Sequence, residues 1–501
     1  MKNVLEYLEH SVKGHPEKPV LKEPGKACSY KELLESSRRI GSFLSDFVSP
    51  GSPVAVYMDK SMEALTAFMG IVYAGAFYVF ISQEQPAPRI RQILKVLETD
   101  FIITLGKEKS LPDDACFSGK LLDYKEIVKT GIKEEILGRI RSQSLDTDPL
   151  YCSFTSGSAG VPKGVLVSHR SVIDFMEYFP AMFGITENDI IGNQAPFDFD
   201  VSVKDIYSTL KTGASMVIIP RRFFSIPTEL LDCLCEEKVT ALIWAVSALC
   251  LIPQLKGFTY KVPKDVNKVL FSGEMMPSKY LKEWQKYLPD ASYVNLYGPT
   301  EITCNCTYYR VEKEPLPDEP LPIGKPFPNE KVFLLDENDR LVTEKDQTGE
   351  ICVSGTALAL GYYNSPEQTK RSFVPNPLNS RYTETIYRTG DLAFYNGEGL
   401  LCFAGRKDFQ IKHMGHRIEL EEIETVLNGF PDIERACCVF DAAKNRITAF
   451  YTGTTDKKEI AAGMRKALPP YMIPTAFCPL SRLPVTVNGK LDRKKLLEMC
   501  K

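Results

Sequence analysis

Between Val54 and Leu105 the chain alternates β-branched and aromatic runs with segments of helical periodicity. The pattern reads as strand Val54–Met58, a helix to about Tyr73, strand Phe77–Ile81, helix Pro88–Leu97 and strand Phe101–Leu105. Strands separated by helices pair in parallel, and the helices then cover both faces of the sheet. The alternation resumes with helix Ile226–Cys235, strand Thr240–Trp244, strand Val269–Phe271, helix Ser278–Tyr287 and strand Tyr293–Leu296. Ser29-Tyr-Lys-Glu32 is a capping box that opens a helix through Leu33, Leu34, Ile40 and Leu44. From about Pro322 to Phe403 the pattern turns strand-rich, with Val332–Leu335, Gly349–Val353 and Gly399–Phe403, as a β subdomain would. After Gly405-Arg-Lys-Asp408 come helix Glu419–Leu427, strands Ala436–Phe440 and Ile447–Tyr451, and a helix around Ile460–Leu468 that stops at Pro469-Pro470. A chain of 501 residues exceeds one core. The expected fold is α/β with a β subdomain: a large N-terminal domain of mixed and parallel sheets over residues 1–405, and a small α+β domain of αββα character over 406–501.

Composition excludes several classes. The net charge of −3, with no basic block, gives nucleic acid nothing to bind. Fourteen cysteines are scattered without zinc-site spacing, and there are only five histidines, which points to reduced thiols and a cytoplasmic location. Acids interrupt the N-terminal Met1-Lys-Asn-Val-Leu-Glu-Tyr-Leu-Glu where a secretory signal would be apolar. Ala64 through Ile81 carries no charge, but Gly70 and Ala74-Gly-Ala76 divide it into a buried helix and strand, so no membrane insertion is expected.

Phe154-Thr-Ser-Gly-Ser-Ala-Gly-Val-Pro-Lys-Gly164 lies between two apolar runs. Its glycines let backbone N–H groups approach phosphate oxygens, its hydroxyls add donors and Lys163 adds a point charge. A Walker loop ends in Gly-Lys-Ser/Thr and enters a helix, whereas here Pro162 precedes the lysine and a β-branched run follows. By itself the segment reads more commonly as a flexible surface turn. Tyr297-Gly-Pro-Thr-Glu301, Tyr387-Arg-Thr-Gly-Asp391, Gly405-Arg-Lys-Asp408 and Asn488-Gly-Lys490 follow it. Each alone reads as a turn; Asn-Gly-Lys would be a solvated hairpin tip.

Taken in this order the clusters resemble those of adenylate-forming ligases, over nearly the whole chain from Ser29 to Arg493. The likeness is to amino-acid adenylation enzymes, namely nonribosomal peptide synthetase adenylation domains and D-alanine–carrier-protein ligases. Asn193-Gln-Ala-Pro-Phe197 with Phe199-Asp-Val-Ser202 is similar to the latter. The resemblance implies ATP and Mg²⁺ as cofactors and Lys490, Thr155 and Glu301 as catalytic groups. It assigns the phosphates to Thr155, Ser156, Gly157, Ser158 and Lys163, and the metal to Glu301. Gly273, Glu274, Asn295 and Tyr297 would lie at adenine, Asp391 and Arg406 at the ribose, and Gly298 and Thr300 would also bind ATP. Lys490 would stabilise charge at the transferring phosphate. Departures from the family are Ser158-Ala159 in place of two threonines, Phe154 before the loop, Ser272-Gly-Glu274, and Val79-Phe-Ile-Ser82 without proline or aspartate.

The resemblance also places Asp200 against an α-ammonium; read locally, Asp200 would be an N-cap for the following helix. Val201, Lys204, Ser247, Leu270, Ser272, Leu296, Cys304 and Asn305 would line the side-chain pocket. Lys204 either meets an acidic or strongly polar substrate group or snorkels outward. Asp408 resembles the family's hinge, and Gly415 the glycine lining its pantetheine tunnel. No carrier segment follows Lys490, so the expected partner is a separate phosphopantetheinylated carrier protein acting in trans. The implied activity is ATP-dependent amino-acid:carrier-protein ligation. The alternatives are an acyl- or aryl-CoA ligase of the same superfamily and a non-catalytic nucleotide-binding scaffold.

Overall fold

The computed structural model describes residues 1–106, 111–157, 161–313, 321–442, 444–485 and 491–500. Among these, seven strands form a sheet in the order Gly361–Tyr362, Lys163–Ser168, Pro149–Thr155, Phe77–Ser82, Pro53–Met58, Phe101–Thr104, Lys120–Asp123. Pairing is parallel from Phe77–Ser82 outward to Lys120–Asp123 and antiparallel at the Lys163–Ser168 edge. A nine-stranded sheet is built around parallel strands Ser215–Ile218, Ile190–Asn193, Ala241–Ala245, Lys268–Ser272 and Ser292–Tyr297.

Strand alternation joins the two sheets. Val54, Val56 and Met58 face a core shared with Ala241 and Ile243 of the other sheet. Helices Tyr30–Leu44, Met62–Tyr73, His169–Phe183 and Val201–Thr212 contribute Leu33, Phe68, Phe179 and Leu210 to the same core. Ala55 and Tyr57 point the other way, onto Ile90 and Ile93 of helix Ala87–Leu97; Leu242 and Trp244 pack on Leu249 and Trp284. Each sheet is thus covered on both faces, which is why its strands are apolar throughout.

The capping box at Ser29 is present in full: its side chain accepts from Glu32 N, and Glu32 accepts from Ser29 N at 2.7 Å. The uncharged segment forms helix Met62–Tyr73 and strand Phe77–Ser82. No helix among the described residues is long and apolar enough to cross a membrane.

A six-stranded antiparallel sheet spans Glu330–Arg406 and packs Val332, Ile351 and Tyr387 against Tyr297 and Ile302. Beyond it, Ile418, Ile423, Leu427, Ile447 and Met464 gather a core of their own.

Some expected elements are corrected. The strand read at Gly399–Phe403 is Leu401–Arg406, because Gly399 takes φ +73° in the preceding turn. Thr240–Trp244 becomes Ala241–Ala245. The αββα reading of the last ninety residues was incomplete. It missed the hairpin Gln410–His413/His416–Glu419, a third strand Ala476–Pro479 paired in parallel, and helix Arg493–Glu498. Four-residue strands rich in charge carry too weak a periodic signal to be read alone.

Glu330 generates a pH prediction. One carboxyl oxygen accepts from Ala357 N at 3.0 Å; the other is buried without a partner among the described residues. Burial pushes this carboxyl up to about 8. The folded protein therefore holds a proton that the unfolded chain releases near pH 4.3. Stability from this group is present below that pH and is lost as pH rises through about 8. Glu330→Gln cannot ionise, so its Tm relative to wild type is expected to climb between about pH 5 and pH 9. A pH-independent Tm difference would contradict this assignment.

Candidate active site

In open α/β sheets, side chains and loops at the carboxyl ends of parallel strands converge on one crevice. Here strand Ala241–Ala245 ends beside Ser247, Lys268–Ser272 runs into Gly273 and Glu274, and Ser292–Tyr297 runs into Gly298-Pro-Thr-Glu301. Strand Pro149–Thr155 of the other sheet delivers Thr155, Ser156 and Gly157, and the returning strand starts at Lys163. Most of the residues expected from sequence are thereby gathered in one place. Ser158 and Lys490 lie outside the described residues.

Two close approaches require glycine. A Cβ at Gly157 would sit 2.0 Å from Val161 O, and one at Gly298 would sit 2.4 Å from Asn305 Cα. Among the described residues the Thr155 hydroxyl is buried and unpartnered beside this turn, in a cleft it lines with Ser156, Gln85, Arg89, Thr300 and Arg417. Gln85 Oε1, Arg89 Nε and Glu422 Oε2 are likewise buried without partners among the described residues. An unpaired hydroxyl, a glycine-dependent turn and a buried carboxylate are a donor set that suits a phosphate group and its metal.

Glu301 has no exposed surface. Its Oε1 accepts from Tyr362 OH and its Oε2 from Arg417 Nη1, both at 2.7 Å. Burial alone would raise its pKa, but Arg417, then Lys163, overcome this and hold it down at about 2. Lys163 lies 3.8 Å from Glu419 and 5.4 Å from the Tyr362 ring, with its own pKa lowered by burial.

Asp391 is 1% exposed and accepts from Tyr297 OH at 2.5 Å and from Arg406. Arg406 also binds Asp408, at 2.6 and 2.8 Å. Asn295 spends its amide N–H on Pro322 O at 2.8 Å.

Asp200 occupies the N-cap position of helix Val201–Thr212 but makes no side-chain cap bond, so the reading of it as a cap does not hold. It is 7% exposed, and burial pushes its carboxyl up against the pull of Lys204. Lys204 does not snorkel outward. It is fully buried on the second turn of that helix, and its Nζ donates to Asn305 Oδ1 at 2.6 Å. Cys304 Sγ reaches the Asp200 carbonyl at 3.0 Å. Asp205, next in sequence, is pushed up to about 7 by burial.

Sequence reasoning missed the hairpin that closes the site. In its register Gln410 pairs with Glu419, Ile411 with Ile418 and Lys412 with Arg417. The isoleucines face the 418–472 core, and the polar set faces the crevice. Lys412 lies 5.0 Å over the Tyr297 ring. Gly415 N donates to Glu274 at 2.8 Å, Ser156 Oγ donates to Arg417 O at 2.8 Å, and Glu419 N donates to Ser156 Oγ at 3.1 Å. His416 stacks on Tyr471 at 3.6 Å, and burial holds its pKa down at about 3. The available signal was the alternation of isoleucines with charges on either side of Met414-Gly415, where both residues take positive φ.

Tyr362→Phe tests the Glu301 environment. Removing the hydroxyl leaves Oε1 buried without a donor, at a cost of about 1–3 kcal/mol. A lowered Tm is expected by differential scanning calorimetry, and an unchanged Tm would show that this oxygen is satisfied elsewhere.

Comparison with known proteins agrees with this geometry. Residues 8–363 match the family model "AMP-binding enzyme", and residues 422–490 match "AMP-binding enzyme C-terminal domain". The chain is 30% identical to zwittermicin A synthase ZmaJ of Bacillus cereus, covering 98% of this chain and 94% of that protein. It is also 30% identical to tyrocidine synthase 1 of Brevibacillus parabrevis over 99% of its own length, but spans only 45% of that protein. Among solved structures, holo-PA1221, an NRPS protein containing adenylation and PCP domains, superposes with a TM-score of 0.84 at 23% identity, covering 99% of this chain and 84% of that one. The o-succinylbenzoate CoA synthetase MenE of Bacillus subtilis superposes at 0.85 and 20%, covering 99% and 98%. At these identities the structures show a shared fold.

Proposed function

The chain belongs to the AMP-binding enzymes, the adenylate-forming family, and from that premise we propose that it activates an amino acid as its aminoacyl-AMP and passes the acyl group to the phosphopantetheine thiol of a carrier protein acting in trans. It is an adenylating enzyme like the adenylation domains of nonribosomal peptide synthetases. The observation that carries the amino-acid reading is Asp200: a buried carboxylate, not used as a cap, next to the crevice. There it would bind an α-ammonium with little competition from water. A fatty or aryl acid has no group to pair with it.

In this reading the substrate carboxylate attacks the α-phosphorus of ATP and pyrophosphate leaves. Thr155, Ser156, Gly157 and Lys163 hold the phosphates, Tyr297 offers its ring to adenine, and Asp391 accepts from the ribose. Glu301 would hold Mg²⁺, which spreads charge over the phosphates when bound. No general base is needed, since the attacking carboxylate is already ionised. Lys490 would stabilise charge at the phosphate late in the step, carried by a small unit turning about Asp408. Gly415 takes φ +80° and packs so close to Ala245 that a Cβ there would lie 3.1 Å from Ala245 Cβ; in this reading the thiol arm would pass beside it.

Lys204 narrows the acid. Its ammonium is fully buried, bonded to Asn305 Oδ1 at 2.6 Å and set near the carboxyls of Asp200 and Asp205; in this reading its remaining donor capacity would meet an acidic or strongly polar substrate side chain.

ATP–pyrophosphate exchange across L- and D-amino acids, with fatty and aryl acids as a second panel, tests the proposal. Exchange is expected with an amino acid bearing a carboxylate or amide side chain, and Lys204→Glu should change that preference. Exchange driven only by a fatty or aryl acid would move the reading to a CoA ligase, and ATP binding without any exchange would move it to a scaffold. Lys490→Ala should cut exchange by about two to three orders of magnitude while sparing thioester formation from supplied adenylate.

A further inference from the structure

Between strands Gly349–Gly355 and Thr385–Tyr395 the ladder breaks at the residue proposed above to bind ribose. Glu350 pairs with Leu392 and Cys352 with Arg388, so Ile351 alone stands opposite Thr389, Gly390 and Asp391. A bulge of this kind leaves backbone groups without ladder partners and re-aims the side chains it carries. Side chains and a neighbouring amide tie it down instead. Gly390, at φ +72°, gives its carbonyl to Lys407 N at 2.9 Å, and its N–H donates to Glu350 Oε1 at 3.1 Å. Thr389 Oγ1 donates to Ile351 O at 2.9 Å and accepts from Asp391 N at 3.0 Å. Glu350 is 5% exposed, and its Oε2 takes Arg388 Nε at 2.9 Å, Arg388 Nη2 at 2.7 Å and Lys407 Nζ at 3.0 Å. Both cations meet one oxygen, which leaves the other to the Gly390 amide.

We propose that Glu350 is a positioning residue for nucleotide selection: its carboxylate fixes the bulge that turns Asp391 into the crevice, and through Asp391 it sets the preference for a ribose with free hydroxyls. This rests on the reading of Asp391 as the ribose acceptor. Tyr297 OH and Arg406 each use one site on the Asp391 carboxylate, which has about four lone-pair sites, so two hydroxyls can still be received. Such bonds weaken steeply with angle, so they depend on where the bulge holds the carboxylate. The phosphate turn and the Tyr297 ring are carried by other strands, Pro149–Thr155 and Ser292–Tyr297. Loss of Glu350 therefore strikes the ribose contact and spares the rest of the nucleotide site.

The test is calorimetric titration of the full chain, in Mg²⁺ and without acid substrate, with ATP and with 2′,3′-dideoxy-ATP. Wild type is expected to prefer ATP by at least about tenfold, the worth of one charge-assisted hydrogen bond. Glu350→Leu should bring that preference below about threefold while binding 2′,3′-dideoxy-ATP within about twofold of wild type, since the two perturbations act on one contact. Glu350→Gln keeps an acceptor for Gly390 but loses the ion pairs, and should fall between wild type and Glu350→Leu. Thr389→Val frees the Asp391 amide and should show the same ribose-specific loss. Should the leucine variant not fold, Glu350→Gln and Thr389→Val carry the test. A purely structural role would weaken both nucleotides alike. Equal weakening of both, or a preference for ATP unchanged in the Glu350 variants, would overturn the role of Glu350. No preference for ATP in the wild-type protein would overturn the reading of Asp391 instead.

Discussion

A carboxylate with no exposed surface is stable only with a counter-charge, and Glu301 has one on each side: Arg417 at 2.7 Å and, more distant, Lys163. An unpaired buried charge would cost several kcal/mol, so wherever the small unit moves, something must replace Arg417. That requirement links the two halves of the molecule. The loop bearing Glu301 is fixed from below by Tyr297 and Ile302, which pack on the six-stranded sheet, and from the side by Tyr362. Its charge is completed by a residue more than a hundred positions later in the chain.

The sheets supply the platform for this chemistry. Because the strands are parallel, Ser272, Tyr297 and the Thr155 turn arrive at the same edge without long excursions. Another contact between the halves, Arg89 with Glu422 at 2.6 Å, is buried on both sides and leaves Arg89 Nε and Glu422 Oε2 unpaired among the described residues. Such a pair contributes little net stability but is costly to break by removing one partner. It therefore favours a few discrete arrangements of the small unit over a continuum.

Much of this was legible in the sequence, and the reason differs by region. Apolar runs buried on both faces and helices such as Tyr30–Leu44, with its capping box, announce themselves through local chemistry. The AMP-binding family was readable because five short polar clusters kept their order. The fate of Lys204 was not readable: a lysine four residues into a helix can face either way, and only the packing of Asn305 against it decides. Nor was Arg417, whose role depends on the hairpin register that turns Ile411 and Ile418 inward and the charges outward. Two four-residue strands hold too little pattern to fix that register, which comes from the 418–472 core instead.

We propose that a substrate carboxylate attacks the α-phosphorus of ATP in the crevice between Thr155, Glu301 and Asp391. The most direct measurement follows oxygen. With an amino acid that supports exchange, labelled with oxygen-18 in its carboxylate, and a carrier protein to accept the acyl group, the nucleotide product is analysed by mass spectrometry. AMP carrying one labelled oxygen, with unlabelled pyrophosphate, is the expected product. Label appearing in inorganic phosphate alongside ADP would mean attack at the γ-phosphorus, and would contradict it.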